Sequence, residues 1–335
     1  MPTNGRCLLA SRPVGLPTPA NWSYVEDEAP EPAEGEALVR VDYLSLDPAM
    51  RAWMNDVRSY VPPVQIGEVM RAAGVGTVIA SRSGAVREGD CVQGVFGVQN
   101  YAAVDAGGLT PVDTSLAPAP AHLGVLGISG LTAYVGLLDI GRPEPGQTVV
   151  VSGAAGSVGS VAGQIARIKG ARAVGIAGGR EKCDWLVDEL GFDAAVDYKA
   201  GELRAQLREA APDRVDVFFD NVGGEILDTV LLRLARGARI VISGAISQYN
   251  ADAPPPGPSN YMQLLVSRAT MAGFVIFDHF ARFPQARADL AEWLASGELK
   301  HHEDVVHARV DQFPEVFLRL FRGENLGKLV QALDA

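Results

Sequence analysis

Three glycines, Gly153, Gly156 and Gly159, stand three residues apart in "VVVSGAAGSVGS" (149–160), between a β-branched run and the helix-like "VAGQIARIKG". Glycine at fixed spacing admits something a side chain would exclude. A turn from a buried strand into a helix aims backbone N–H groups and the positive helix end at one point. That point suits an anion, above all a pyrophosphate. Ala154-x-Gly156-x-x-Gly159 departs from G-x-G-x-x-G only at its first position, where alanine still allows a tight turn. The pattern predicts a dinucleotide lying against main chain at all three glycines.

About twenty residues on, a site for an unphosphorylated ribose places Asp or Glu at the end of the second strand. This chain has "GIAGGREK", with Gly178 and Gly179 in the turn and Arg180 and Lys182 after it. A missing carboxylate and two cations suit a 2′-phosphate, so NADP(H) is favoured over NAD(H). Cations at a helix start oppose its dipole, so their presence calls for an anion. Lys182 is the expected contact, with Tyr198 of "VDYK" as a second polar tip.

The elements around these residues follow from pattern. Up to about residue 120, short strands such as "EALVRVDYLSL" and "AAGVGTVIAS" alternate with Pro- and Gly-rich turns, which reads as a mainly β domain. From about 125, strands alternate with helices of about a dozen residues, which means βαβ units and a parallel sheet. One of these helices is read as "EILDTVLLRLARG", ended by a glycine C-cap, with the strand "ARIVISGAIS" after it. A Pro-rich loop, "ADAPPPGPSN", and a tail with strand, helix and strand character follow. The expected domains are 1–125 completed by 305–335, and 126–304.

Bulk properties exclude several classes. The chain has 335 residues, 47% hydrophobic and 21% charged, with 29 basic and 40 acidic side chains and a net charge of −11. A nucleic-acid backbone is not the expected partner of such a chain. Cys7, Cys91 and Cys183 are scattered and odd in number, so neither a disulfide framework nor a cysteine-rich zinc knot is read, and a reducing cytoplasm fits. The N-terminus shows no signal-peptide pattern. The uncharged stretch from Leu123 to Leu138 is too short to span a bilayer and reads as a buried helix.

The chain resembles the zinc-independent medium-chain dehydrogenase/reductase superfamily, in the branch of prostaglandin reductase (leukotriene hydroxydehydrogenase), plant double-bond reductases and bacterial curcumin reductase. The carrying segments include "YLSLDPAMR" (43–51), "GISGLTAYVGL" (127–137), "GAAGSVGSVAGQIA" (153–166), "FFDNVGGEILDTVL" (218–231), "ISGAISQYN" (242–250) and "RGENLGKLV" (322–330). The resemblance implies a Rossmann doubly wound parallel sheet plus a GroES-like mainly β domain, NADPH without zinc, and a homodimer through the edge of the Rossmann sheet. It implies reduction of the carbon–carbon double bond of α,β-unsaturated ketones or aldehydes. It assigns Gly156, Ser157, Val158 and Gly159 to the phosphates, and Lys182 and Tyr198 to the 2′-phosphate. Thr132, Asn221, Ser243, Gly244, Ala245, Ile246, Ser247, Tyr249, Phe274, Val275, Ile276 and Asn325 fall to the rest of the cofactor. Tyr43 and Ala49 are the expected substrate-pocket residues, and Ala49 stands where the family usually has an aromatic residue. Zinc-bearing relatives place His-Glu after a glycine where this chain has Glu68-Val69 after Gly67, and the pair His301-His302 points to opposite faces if extended.

For that reaction, hydride reaches the β-carbon and charge develops on the carbonyl oxygen as an enolate, which needs a donor aimed at it. A neutral tyrosine suits this task. Tyr249 follows the fifth strand at its carboxyl end, where ligands sit in such sheets, and is the expected catalytic donor, aided by the nicotinamide ribose hydroxyl. Water is the expected source of the final proton. Asp47 and Arg51 are read as a structural pair. The alternatives are a quinone reductase on the same scaffold and an NADPH-binding protein without catalysis.

Overall fold

The computed structural model describes residues 2–334; positions 1 and 335, the outermost of the expected first domain, lie outside them. In chain order the first part holds β1 (Thr3–Leu9), β2 (Trp22–Glu28), β3 (Glu36–Ser45), helix α1 (Ala49–Trp53), β4 (Ala73–Ser81), β5 (Cys91–Val95), β6 (Tyr101–Asp105) and β7 (Thr110–Pro111). The middle runs α2 (Ile128–Val135), β8 (Thr148–Ser152), α3 (Ser157–Ile168), β9 (Arg172–Ala177), α4 (Arg180–Asp184), β10 (Ala194–Asp197), α5 (Leu203–Ala210) and β11 (Val215–Asp220). It continues with α6 (Gly224–Leu231), β12 (Leu234–Ile242), α7 (Met262–Ser267), β13 (Thr270–Gly273) and α8 (Phe283–Ser296). The tail adds β14 (Glu303–Ala308), α9 (Phe313–Arg322) and β15 (Lys328–Leu333).

Two compact units result: one is the chain up to Leu123 together with the chain from Glu303 onward, the other Gly124–His302. The first is mainly β. Its large sheet has the order β14-β15-β3-β4-β5-β7, with β6 also on β3, and β1 and β2 form a separate antiparallel pair. Strand β15 pairs antiparallel with β3, setting Ala332 opposite Tyr43, and parallel with β14. Apolar side chains of β3, α1 and α9, among them Leu44, Met50, Met54, Phe313 and Phe317, share one core.

The second unit is a six-stranded parallel sheet in the order β10-β9-β8-β11-β12-β13. Every residue of β8 is buried, as continuous apolar strands must be when helices cover both faces. The chain leaves β8 in one direction through α3 and later returns to its other side with β11. Order reverses between these two strands, so a crevice opens at their carboxyl ends. The buried stretch near 123–138 is α2, extended by a wide turn over Gly136–Gly141. No helix among the described residues is long and apolar enough to cross a membrane.

The strand expected over "TMAGFVIF" (270–277) ends at Gly273 as β13, and a boundary near α6 also differs from the expectation. The helix expected through Gly237 ends at Leu231, and the strand starts at Leu234. Gly237 has φ +77° inside β12, which pairs with β11 across an irregular register near Val215. The glycine therefore lets a strand bulge rather than capping a helix.

Candidate cofactor and active site

Ser152 ends β8 and the chain turns at Gly153, whose φ is +56°. The Gly156 N–H donates to the Gly153 carbonyl (3.0 Å), and α3 begins with Gly156 as its N-cap in extended conformation. A Cβ on Gly159 would overlap the Gly153 carbonyl oxygen and lie 2.8 Å from Ala154 Cα. Gly159 is thus required by the turn's own backbone, and Gly153 by its positive φ. At Gly156 the backbone is extended and an added Cβ would meet one atom, the Gly153 oxygen at 3.2 Å. The expectation that a ligand explains all three glycines is corrected: two of them build the cradle and one lines it.

The cradle fits a diphosphate. The first N–H groups of a helix have no partner within it, and the Ser157 hydroxyl beside them is a buried oxygen without a hydrogen-bond partner. Gly156, Ser157 and Val158 keep partial exposure while Gly159 is buried.

Next to this turn, Asp220 and Asn221 end β11. Asp220 is fully buried; one carboxylate oxygen accepts from Ser152 Oγ (2.6 Å), Val222 N–H and Gly223 N–H (both 3.0 Å). Its other oxygen is buried without a partner. Burial raises its pKa above the usual carboxylate range, and the three donors act against that rise. Ser152 Oγ also accepts from Asn221 N–H (2.9 Å), and Asn221 Nδ2 donates to the Ser152 carbonyl (2.8 Å). The Ser243 and Gly244 N–H groups donate to the Asp220 carbonyl. Asp220 therefore ties together the ends of β8, β11 and β12. Ser152 and Asp220 were missed in the sequence, where an acid before "NVGG" at a strand end was the available signal.

The segment 243–249 folds onto this knot. Ile246 N–H donates to the Asn221 carbonyl, and Ser247 donates to the Val222 carbonyl through both N–H and Oγ. The Tyr249 hydroxyl accepts from Ala245 N–H (3.2 Å) and lies 3.1 Å from where a Gly244 Cβ would stand. The cradle, Asn221 and Ser243–Tyr249 are thereby brought to one edge of the sheet.

At the β9 end, the Tyr198 ring lies against Gly178, where a Cβ would fall 2.8 Å from it. Asp197 accepts from Gly179 N–H (2.8 Å) and Lys199 N–H (2.9 Å), joining the ends of β9 and β10. Arg180 is exposed and paired with Asp184 (3.3 Å), a surface pair of small energetic value. Lys182, in the first turn of α4, is half-buried. Burial first, then Asp197 and Asp184, pushes the Cys183 thiol up to about 11, which keeps it protonated and unreactive.

The remaining candidates make other contacts. The Thr132 hydroxyl donates to the Ile128 carbonyl of its own helix (2.7 Å). The Phe274 ring packs where a Gly136 side chain would be, and Ile276 is buried. On the mainly β unit, Tyr43 packs against Val75, Val112, Leu123 and Val330. Ala49 begins α1, and Asn325 Nδ2 donates to the Gly327 carbonyl (3.0 Å). Asp47 and Arg51 are not a pair: Asp47 binds Lys328 (2.5 Å), and Arg51 donates to the Pro13 and Gly15 carbonyls and to Asn55. Charge alone suggested the wrong partner, because the lysine lies about 280 residues further along the chain. No group of three or more His, Cys, Asp or Glu placed to hold a metal ion occurs among the described residues.

Residues 6–112 match the family described as the N-terminal domain of oxidoreductase, and residues 157–293 the one described as zinc-binding dehydrogenase. A Bacillus subtilis protein, YfmJ, named as an NADP-dependent oxidoreductase, is 48% identical over 330 residues, 97% of each chain. The NADPH-dependent curcumin reductase of Escherichia coli is 40% identical over 332 residues, 98% of this chain and 96% of that one. The crystal structure of CurA from Vibrio vulnificus in complex with NADPH superposes with a TM-score of 0.93 at 43% identity, covering 99% of both chains.

Proposed function

This chain belongs to the zinc-independent branch of the medium-chain dehydrogenase/reductase family and is an NADPH-dependent oxidoreductase of the curcumin, prostaglandin and alkenal reductase type, and from that premise we propose that it reduces the carbon–carbon double bond of α,β-unsaturated ketones and aldehydes. The observation that carries the proposal is the placement of Tyr249. Its hydroxyl is held by Ala245 N–H at the carboxyl edge of the sheet, joined through Asn221 to the turn that fits the diphosphate. When bound, NADPH supplies the hydride.

The chain's own residues do the rest. Ser157, Val158 and Gly159 bring the helix-start N–H groups, and Ser157 its hydroxyl, to the diphosphate, Gly156 leaves it room, and Lys182 with Tyr198 meets the 2′-phosphate. Asn221 and the segment Ser243–Tyr249 orient the nicotinamide end, with Thr132, Phe274, Val275, Ile276 and Asn325 as further contacts. Accepting a bond from Ala245 N–H polarises the Tyr249 O–H, which donates to the substrate's carbonyl oxygen as negative charge gathers there. Tyr43 and Ala49 contact the unsaturated substrate. A homodimer through β13 is part of the same proposal, supported by the exposed Leu265 and Val266 on the adjoining α7.

The test is NADPH consumption against enones, enals, quinones and alcohols, with NADH as control. Turnover of enones with NADPH is expected. Faster turnover of quinones, or no turnover of any enone, overturns the proposal.

A further inference from the structure

Among the described residues, two lysine or arginine side chains are fully buried, Arg51 and Lys328, each 2% exposed. One holds the chain just before α1 and the other belongs to α1. Lys328 Nζ donates to the Leu46 carbonyl (3.1 Å) and to Asp47 Oδ1 (2.5 Å), just ahead of α1, and Asp47 Oδ2 accepts from Ser45 Oγ (2.5 Å). Arg51, within α1, reaches the carbonyls of Pro13 (3.2 Å) and Gly15 (2.8 Å) and Asn55 Oδ1 (2.7 Å). A third cation, Arg12, donates to the carbonyls of Met54 (2.7 Å), at the C-cap of α1, and Val64 (2.5 Å).

Five residues are too few to hold a helix by propensity. Here its entry, middle and exit are each fixed by a cation. Apolar packing alone serves stability at least as well as a buried cation, whose desolvation cost offsets much of its attraction. What such groups add here is hydrogen bonds of defined length and direction to named backbone carbonyls. The residue at the head of this pinned turn is Ala49.

We propose that Lys328 and Arg51 are positioning residues that lock α1 as a rigid wall, so that Ala49 sets which unsaturated substrates are accepted by the bulk on their non-reacting side. This rests on the reading of Ala49 as a substrate contact. The cations themselves touch no substrate; they act through α1.

The experiment compares kcat/KM for a bulky enone, benzylideneacetone, with a small one, methyl vinyl ketone, in the full-length protein. Ala49→Tyr checks the underlying reading and is expected to shift the ratio about tenfold or more against the bulky enone, as pocket volume does elsewhere. The double variant Lys328→Met, Asp47→Leu removes the clamp without leaving an unpaired buried charge. Misplacement by about 1 Å costs up to about 10²-fold, so benzylideneacetone kcat/KM is expected to fall about tenfold while methyl vinyl ketone stays within about threefold. The NADPH KM and melting temperature are expected to stay near wild type, which separates positioning from structural support. Should the double variant not fold, Ser45→Ala is read in its place, with an expected shift of about threefold from the same loosening. A folded clamp variant with the wild-type ratio, beside an Ala49→Tyr that shifts it, overturns the clamp alone. An Ala49→Tyr with an unchanged ratio removes Ala49 from the pocket, and the clamp's role with it.

Discussion

Gly156 and Gly159 lie three residues apart in one motif, and alanine at each is expected to fail in a different way. At Gly156, φ is −92° and ψ 178°, extended backbone that any residue adopts. The added methyl meets one atom, the Gly153 oxygen at 3.2 Å, which must give by a few tenths of an ångström. Relief of unfolded-state entropy, about 0.4–1 kcal/mol, offsets that contact, so the melting temperature should stay within about 2 °C. The methyl would occupy the space where a diphosphate oxygen meets the helix start. Loss of one hydrogen bond to a charged group costs about 1.5–3 kcal/mol, or about 10- to 100-fold in NADPH affinity. At Gly159 the methyl collides with backbone on both sides, and overpacking of this kind costs about 1–3 kcal/mol. At about 2–4 °C per kcal/mol, melting should fall by roughly 2–12 °C. Thermal melts without ligand and fluorescence titration with NADPH separate the two variants. Wild-type NADPH affinity in Gly156→Ala refutes the cradle; wild-type melting in Gly159→Ala refutes the division of labour between the glycines.

Three further outcomes are expected. Tyr249→Phe lowers enone turnover by about 10²-fold or more while NADPH binding holds, as for single oxyanion donors elsewhere; unchanged steady-state rates remove Tyr249 from the chemistry. Lys182→Glu raises the NADPH KM by about 10- to 100-fold and leaves the NADH KM in place, since only one cofactor carries the phosphate; a parallel change in both KM values refutes the contact. Asp220 is held above its unfolded pKa of about 3.9 by burial, so between that value and its raised native one the folded state binds more protons, and wild type loses stability as pH rises through that window. Asp220→Asn cannot ionise, so its stability relative to wild type should grow as pH rises from the unfolded pKa of about 3.9 through the raised native one; denaturant melts showing a constant gap refute the assignment.

The parallel sheet was legible because β8, β9 and β11 are buried on nearly every residue, which leaves runs such as "TVVV" and "VFF" with no competing reading. Helix α1 was not legible. A single turn after a proline has no periodicity to detect, and its anchors come from residues 12 and 328 as well as from its own Arg51. The end of α6 was misplaced for a related reason. Glycine with positive φ serves helix caps and strand bulges alike, and pairing with β11 decides which one Gly237 makes.

The site was legible to the extent that its chemistry is local in the chain. A strand, a glycine turn and a helix are contiguous, so the cradle could be placed from spacing, and the absence of an acid at the β9 end could be seen beside Arg180 and Lys182. The spacing could not say which glycine yields to a ligand and which to the chain itself, because both demands read as glycine. Only the position of the Gly153 carbonyl against α3 separates them. The same limit hid Asp220. Its donors come from β8 and from the turn after β11, 68 residues apart for the Ser152 bond. A buried carboxylate with one satisfied oxygen is costly unless it holds something in place. It sits where three strands end, under both the cradle and the Tyr249 segment, so the parts of the site that spacing revealed one by one are held in register by a residue that spacing did not reveal.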